Sequence, residues 1–580
     1  MRRIAPLAAS LLAAIVLAVV LTVVTVRPPG ARPADGPADQ FSATRAFADI
    51  RAISAAPHPT GSAASAQVRA HLVARLSALG LVVETQDAPL TPRGIERLRR
   101  MGEPPAPAAV NVIARLPGRD PAQPAVALMA HYDTVPGSPG AGDDGAGVAA
   151  AIEIARALKA GPQPVRDLVV VLTDAEELNS DGAAAFFAGH PQAKRIGAVV
   201  NLEARGGGGR ALMFETGPQN GAMAGLYARS VARPSANSLA VLIYRLMPNL
   251  SDFTIPKAAG MPGFNIAFLG IPGLYHSAQS VPDRIDPASV QHLGSQGLDI
   301  VRALVTAGRL PAKSPDAVFF DVLGLGLIIY PPVVGWLVLA AAGAMLGFAY
   351  YRVRRAGLLQ DGQAAFGAAW GFGLLVLTAV TLNAANTISG QGRGANYYDR
   401  LAAIPRLELQ ALLLALAVVL AMVFARPVAR GWSRWLGAAL TVLAAALAIQ
   451  AVAPTAAPVL AWPLLLTAIG AALAAGVDPG LASRKVLGVL AVLAALAVAQ
   501  TLSLAHLAFL GVGADAPATM SLFAVLCVLP LLPLLIGALD RRIVLIVAAV
   551  MAVAGLGLAT WIRLDPMAST TPAYSLRPAS

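Results

Sequence analysis

His131, Asp133, Asp143, Glu176, Glu177, Glu203 and His276 are imidazoles and carboxylates, the donor types that hold zinc, and each lies near the end of a short apolar run. They are densest in AHYDTVPGSPGAGDDGAGV, Ala130 to Val148. There an apolar run starting at Ala125 reaches His131-Tyr132-Asp133, and a Gly/Pro loop leads to Asp143-Asp144 ahead of an Ala-rich helical pattern. Side chains at i and i+2 of a strand share a face, so Asp133 is expected to orient the His131 imidazole, as metal-bound histidines require. Asp143 offers a carboxylate from across the loop. The competing reading is a polar loop that caps a helix, with Asp143 or Asp144 as N-cap.

Three further runs deliver the remaining donors. Leu168–Thr173 ends in Asp174-Ala175-Glu176-Glu177. Neighbouring side chains at a strand end diverge, so one glutamate can bind a metal while the other faces the water that the metal activates. Ala198–Leu202 delivers Glu203, and Phe264–Phe268 is followed by Tyr275-His276. Taken singly, each of these residues reads as solvated surface or a cap. Their coincidence at four successive strand ends, where open α/β sheets place their sites, is what points to a metal centre.

The elements that must position them are legible as an alternation of short apolar runs with helical periodicity between residues 41 and 311. Expected strands are Leu81–Thr85, Val110–Leu116, Val126–Ala130, Leu168–Thr173, Ala198–Leu202 and Phe264–Phe268. Expected helices include Ala66–Leu79, Gly147–Lys159, Ser180–Gly189, Gly221–Arg233 and Asp286–Ala307. Leu90–Pro107 carries Arg and Pro without periodicity and is expected to be a surface insertion. No repeat of the length that builds solenoids is present in this region.

The rest of the chain is of another kind. Of 580 residues 56% are hydrophobic and 13% charged, and several long windows carry no charge at all, which makes a polytopic membrane protein. Met1-Arg2-Arg3 precedes the uncharged run Ile4–Val26, longer than a signal-peptide core and without a small-x-small site directly after it. Residues 1–26 are therefore expected to be an uncleaved anchor and 27–40 a Pro/Gly/Ala-rich linker. Spans centred near Leu339, Leu375, Leu416, Leu443, Leu466, Leu493, Val528 and Ala549 place an all-α membrane domain at 312–562, followed by a tail at 563–580.

With the N-terminus inside, Arg352/Arg354/Arg355, Arg426/Arg430/Arg434, Arg484/Lys485 and Arg541/Arg542 all fall on the cytoplasmic side. Arg393, Arg400 and Arg406 fall outside, against the positive-inside rule. The net charge of +12 thus reads as topology signal, and no nucleic-acid surface is expected. The single cysteine, Cys527, lies in an apolar span and excludes intrachain disulfides and cysteine zinc sites.

HYD at 131–133, GAGDDGAG at 140–147, EE at 176–177, NLEARG at 201–206 and YHS at 275–277 together resemble the co-catalytic zinc exopeptidases, metallopeptidase family twenty-eight, to which aminopeptidase Y and glutamate carboxypeptidase belong. PHPTGS at 57–62 looks like the family's opening segment. The spans and NLSDFTIP at 249–256 resemble its membrane-bound branch, that of the vacuolar membrane protease and the endoplasmic reticulum metallopeptidase. The resemblance implies an α/β zinc-exopeptidase domain with a mostly parallel central sheet and helices on both faces. It further implies two zinc ions bridged by Asp143, with His131 and Glu203 completing one site and Glu177 and His276 the other. Glu176 would be the general base and Asp133 its catalytic support. Three positions depart from the family pattern. Glu203 stands where Asp is frequent, Ala146 where Ser is frequent, and Ser280 at an Asp position, which removes a carboxylate expected near His276.

The expected protein is a membrane-anchored zinc exopeptidase, an aminopeptidase acting on peptides outside the cytoplasm and embedded in the lipid bilayer. Its Ala/Gly/Arg/Pro-rich composition suggests a bacterial inner membrane with a periplasmic catalytic domain; an organelle membrane with a lumenal domain is the alternative. The rival functions are a glutaminyl-cyclase-like transferase and a catalytically inactive ectodomain of a membrane scaffold. His58, His71, His190 and His292 have no ligand partners at useful spacing and are expected to be structural or exposed. His506, inside a span, has no acidic partner in view.

Overall fold

Period-two alternation decides the two faces of the sheet. The computed structural model describes residues 4–360, 362–392, 396–425, 431–535 and 539–565. Its strands are β1 (Val82–Ala88), β2 (Ala109–Leu116), β3 (Ala125–His131), β4 (Leu168–Thr173), β5 (Ile196–Ala204), β6 (Gly208–Thr216) and β7 (Gly263–Gly270). They form one seven-stranded sheet in the order β1-β2-β4-β3-β5-β7-β6. β3, β4, β5 and β7 run parallel in the middle, and β1, β2 and β6 add antiparallel edges.

Val126, Leu128 and Ala130 of β3 and Leu168, Val170 and Leu172 of β4 point into one core, beneath helices Ala43–Ile53, Gly145–Lys159 and Pro287–Thr306. Ala127, Met129, Val169 and Val171 point the other way, against Phe186 of helix Asp181–Gly189 and Phe253. Strands apolar on both faces need cover on both, which is why these runs read as continuous rather than alternating. Helix Gly145–Lys159 follows the same logic. It is small and apolar nearly all round, so it can lie buried along almost its whole length.

The structure departs from the sequence reading in four places. β6 is an additional edge strand; its opening glycines hide the pattern of a strand. Within Leu90–Pro107, Pro92–Arg100 is a helix, with Pro at its start and the Thr91 hydroxyl accepting from the Gly94 amide at 3.1 Å. Leu98 is buried in a cluster that also holds Leu382 and Leu401 of the membrane half. The end expected at residue 311 cuts into the fold, because β8 (Val318–Val322) and β9 (Gly326–Tyr330) form a hairpin whose Phe319, with Ala317 just before it, joins the domain core. The linker is also no free tether: the Ser42 hydroxyl donates to the Arg32 and Pro33 carbonyls at 2.9 Å, and Arg45 donates to those of Ala34 and Gly36.

Among the described residues nine helices are long and apolar enough to cross a bilayer, from Pro6–Val26 to Arg541–Leu564. Leu12, Val16, Val20 and Val24 form an exposed apolar row on the first, the surface a helix presents to lipid. Helices Gln363–Ile388 and Trp432–Val452 approach through glycine: a Cβ on Gly367 would lie 1.8 Å from the Ser433 carbonyl oxygen. Two of the arginines expected on the outer side are used structurally. Arg400 is buried and donates to Asn386 Oδ1 and to the Ser389 and Ala514 carbonyls, while Arg406 pairs with Asp565 at 3.0 Å and stacks on Trp561. Arg393, Arg426, Arg430 and residues 566–580 lie outside the described residues.

The α/β domain is bonded directly to the membrane half. Gln500 donates to the Asp321 carbonyl at 2.7 Å and accepts from the Leu323 amide, and Ser238 donates to the Thr455 carbonyl at 2.6 Å.

Candidate metal centre

The donors converge at the carboxyl ends of the four parallel strands. His131 is the last residue of β3, paired with Thr173 of β4, and Glu203 is the last but one of β5. Nδ1 of His131 donates to the Asp133 carbonyl at 3.0 Å, which turns Nε2 inward. Nε2 then lies 3.0 Å from Asp143 Oδ1 and 3.7 Å from Glu203 Oε2. The other oxygen of Asp143 lies 3.0 Å from His276 Nε2, which is itself 3.0 Å from Glu177 Oε1. One carboxylate therefore stands between two imidazoles, and each imidazole is flanked by a glutamate. Asp144, not Asp143, is the N-cap of the following helix, accepting from the Gly147 amide at 3.0 Å. Of this pair, Asp144 takes the capping role, and Asp143 is the one that faces both imidazoles.

Asp133 organises more than its histidine. Its two carboxylate oxygens accept from the amides of Glu176 at 3.0 Å and Glu177 at 3.2 Å, fixing the turn after β4 from which the glutamates diverge. Ala175, just before them, has φ of 61° and His276 has φ of 53°, left-handed conformations that non-glycine residues adopt where the surroundings over-determine them. Thr60, in the PHPTGS segment, donates to Asp133 and Asp174. Asp252, in NLSDFTIP, accepts from Thr173 below the site. Asn201 donates to Glu203 at 3.1 Å, a partner that period two in NLEARG could have nominated.

The charge balance of this cluster fits bound dications. Burial works against the charged form of every group in it. Glu203 is pushed up to about 8 by burial and the Asp143 and Asp252 charges, although His131 pulls the other way. Glu176 and Asp144 are driven well above the usual carboxylate range by burial, with Glu203 adding to it. Asp143 is held low despite burial, because His131 and His276 both bond to it. Burial would lower His276, yet Glu177 and Asp143 outweigh it and raise it to about 9. Two imidazoles cannot neutralise this many carboxylates, so protons stand where cations would relieve the repulsion. His131, Asp143 and Glu177 offer atoms within 4.8 Å of one another, as do His131, Asp144 and Glu203; mixed nitrogen and oxygen donors at that spacing suit zinc.

Glu176 is half-buried and borders a cavity of about 160 Å³. Leu212, Phe214, Ile243 and Tyr244 of the α/β domain line it together with Leu504 and Leu507 of the span Arg484–Gly513. The membrane half reaches the donors too. The Tyr398 hydroxyl, on the short helix Tyr397–Ala402 between two spans, lies 3.0 Å from His276 Nδ1. Ser280 does not serve His276; its hydroxyl and carbonyl hold the Gly142 and Ala141 amides at 3.3 and 3.0 Å. Nothing in the sequence near His276 announces Tyr398.

None of the other histidines belongs to the donor groups of this cluster. His292 bridges the Ala211 amide and the Arg233 carbonyl, His190 caps the turn Pro191–Arg195, His58 bonds the Ala56 carbonyl, and His71 faces Asp49 at 3.4 Å. His506 corrects the expectation that it lacks an acidic partner: Glu408, on a neighbouring span, comes within 2.7 Å of its Nδ1. Their separation of 98 residues is why the sequence hides the pair.

Residues 111–301 match Peptidase family M28. Over 236 residues the chain is 36% identical to Endoplasmic reticulum metallopeptidase 1 of Homo sapiens, an alignment covering 39% of this chain and 26% of that protein. Over 357 residues it is 28% identical to the Vacuolar membrane protease of Yarrowia lipolytica, covering 57% of this chain and 35% of the relative. The chain thus spans about a quarter to a third of the length of these curated relatives. Among solved structures, an aminopeptidase from Aneurinibacillus sp. strain AM-1 aligns with 48% of this chain and 97% of its own at 14% identity and a TM-score of 0.38. A glutaminyl cyclase of Bacteroides thetaiotaomicron aligns with 45% and 98% at 19% identity and the same TM-score of 0.38.

Proposed function

Starting from a multi-pass membrane protein that carries a Peptidase family M28 domain over residues 111–301, we propose a zinc-dependent exopeptidase, an aminopeptidase acting outside the cytoplasm. The observation that carries the reading is Asp143, whose two oxygens each lie 3.0 Å from a different imidazole. In this reading His131, Asp143 and Glu203 hold one zinc ion, and Asp143, Glu177 and His276 hold the other. Bound zinc supplies Lewis acidity that polarises a peptide carbonyl and makes a water acidic near neutral pH.

The side chains do the rest. Glu176 accepts a proton from the attacking water at a carboxylate oxygen; the water oxygen bonds to the carbonyl carbon, the C–N bond breaks, and Glu176 returns the proton to the leaving amine. Asp133, through the amides of Glu176 and Glu177, fixes where both carboxylates stand. The apolar cavity beside Glu176 receives the side chain at the free amino end of the peptide.

Digestion of a mixed peptide library by the purified, zinc-loaded full chain tests this. Stepwise loss of amino-terminal residues is the expected result. Carboxy-terminal trimming would overturn the aminopeptidase assignment, and loss of ammonia from amino-terminal glutamine without shortening would make the protein a cyclase. An inert protein with full zinc would leave only a scaffold.

Sidedness is tested separately. The helix Val333–Arg355 begins beside the β8–β9 hairpin and ends in Arg352, Arg354 and Arg355, so the domain and the basic cluster lie at opposite ends of one span. A reporter fused after Arg355 should read cytoplasmic and one fused within 389–396 external. Both on one side would mean that Gln363–Ile388 does not cross.

A further inference from the structure

We infer that Tyr398 is a positioning residue for His276, so that the membrane half completes one side of the metal centre. The inference rests on the zinc reading above. With Nε2 of His276 turned towards Asp143 and Glu177, Nδ1 is the ring's other N–H and donates to the Tyr398 hydroxyl oxygen 3.0 Å away. An imidazole that binds a metal through one nitrogen needs a partner at the other to fix its tautomer and plane, and removing such partners costs about 10- to 100-fold in metal affinity. Within the loop after β7, no carboxylate is placed to do this: Ser280 stands at the expected position and is committed to the Gly-rich loop before the helix Gly145–Lys159.

Tyr398 is held in place from several directions. It is buried, and its amide is capped by Asn396 Oδ1 at 2.8 Å. Arg400, two residues further on, ties Tyr397–Ala402 to Asn386 and Ser389 at the end of one span and to Ala514 beyond another. On the α/β side, Arg205 at the end of β5 bonds the Tyr397 hydroxyl, and Gly273 lets the loop carrying His276 pack onto the helix: a Cβ there would lie 3.0 Å from the Cα of Ala402. The short helix therefore bridges the spans and the loop that presents His276. A hydroxyl so fixed can hold the imidazole plane as firmly as a residue of the loop itself.

The test uses full-length protein in detergent, loaded with zinc and titrated with a graded chelator while retained zinc is measured. Wild-type protein should release two zinc ions per chain in two steps. Tyr398→Phe should keep its melting temperature, shift one step by about 10- to 100-fold towards weaker binding and leave the other in place. Tyr397→Phe, whose lost hydroxyl serves Arg205, should leave both steps unchanged. Ala402→Leu, which wedges the helix from the Gly273 loop while keeping every ligand and Tyr398 itself, should shift the same step as Tyr398→Phe. Two unshifted steps in Tyr398→Phe would overturn the inference, as would an equal shift in Tyr397→Phe. Should Tyr398→Phe fail to fold, an unshifted Ala402→Leu overturns it. A wild-type chain that holds no zinc would overturn the zinc reading instead.

Discussion

Glu176→Gln is expected to lower peptide turnover by about 10²- to 10⁴-fold while zinc content stays at the wild-type level. Glutamine keeps the shape and the backbone N–H that donates to Asp133, so the turn after β4 survives, but an amide oxygen cannot take the water's proton at neutral pH. Glu176 also stands outside the chain of contacts Glu203–His131–Asp143–His276–Glu177, which is why its loss should cost no metal. Burial with Glu203 and Glu177 close by drives its carboxyl up in the metal-free protein; cations bound beside it would draw it back towards the range a base needs. Turnover and zinc are measured on one preparation. Near-normal turnover would remove Glu176 from the base role. Intact turnover potential with lost zinc would reverse the assignments of Glu176 and Glu177.

The donor-bearing end of the sheet was legible because its signals are local. A strand, a polar residue at its end and a glycine-rich turn lie within about twenty residues for His131, Asp143 and the glutamate pair, and period two supplies the direction each side chain takes. The seven residues lie at that end of the sheet, although spacing alone left open which of the two aspartates caps the helix. What lay hidden is whatever depends on contacts distant in the chain. Tyr398 is 122 residues from His276, and Asp252 is 79 from the Thr173 it faces. Neither relation leaves a periodic trace, since nothing in a span-to-span loop distinguishes a tyrosine that packs on a metal ligand from one that anchors at an interface.

The boundary at residue 311 was misplaced for a related reason. Pro311 follows the last helical pattern, and the short hairpin after it reads as the approach to a span, yet Phe319 is 1% exposed in the domain core. A buried phenylalanine is worth about 3–5 kcal/mol when truncated to alanine, a large part of the roughly 5–15 kcal/mol that holds a domain folded. A fragment ending at 311 would lose that side chain, the hairpin and Tyr398 together. The α/β domain and the spans are thus joined by core packing and by the site itself, not by flexible tethers.

Asp143→Ala should remove both zinc ions, whereas Glu203→Ala and Glu177→Ala should each remove one. The asymmetry follows from position. Asp143 is the group that both imidazoles approach, at 3.0 Å each, while Glu203 lies 3.7 Å from His131 and Glu177 3.0 Å from His276. Both histidines also favour its charged form despite burial. Deleting it leaves two buried imidazoles without the anion between them, and each ion would have to be held by one fewer negative donor. Asp143→Asn preserves the volume of the side chain and guards against collapse of the loop; it should lose zinc as Asp143→Ala does, because the neutral amide presents only one good donor oxygen where two are needed. Zinc per chain, measured after dialysis against a weak chelator, separates the possibilities. If Asp143→Ala and Asp143→Asn each keep one zinc as firmly as wild-type protein, Asp143 serves a single ion, and the shared carboxylate at the centre of this mechanism has to be given up.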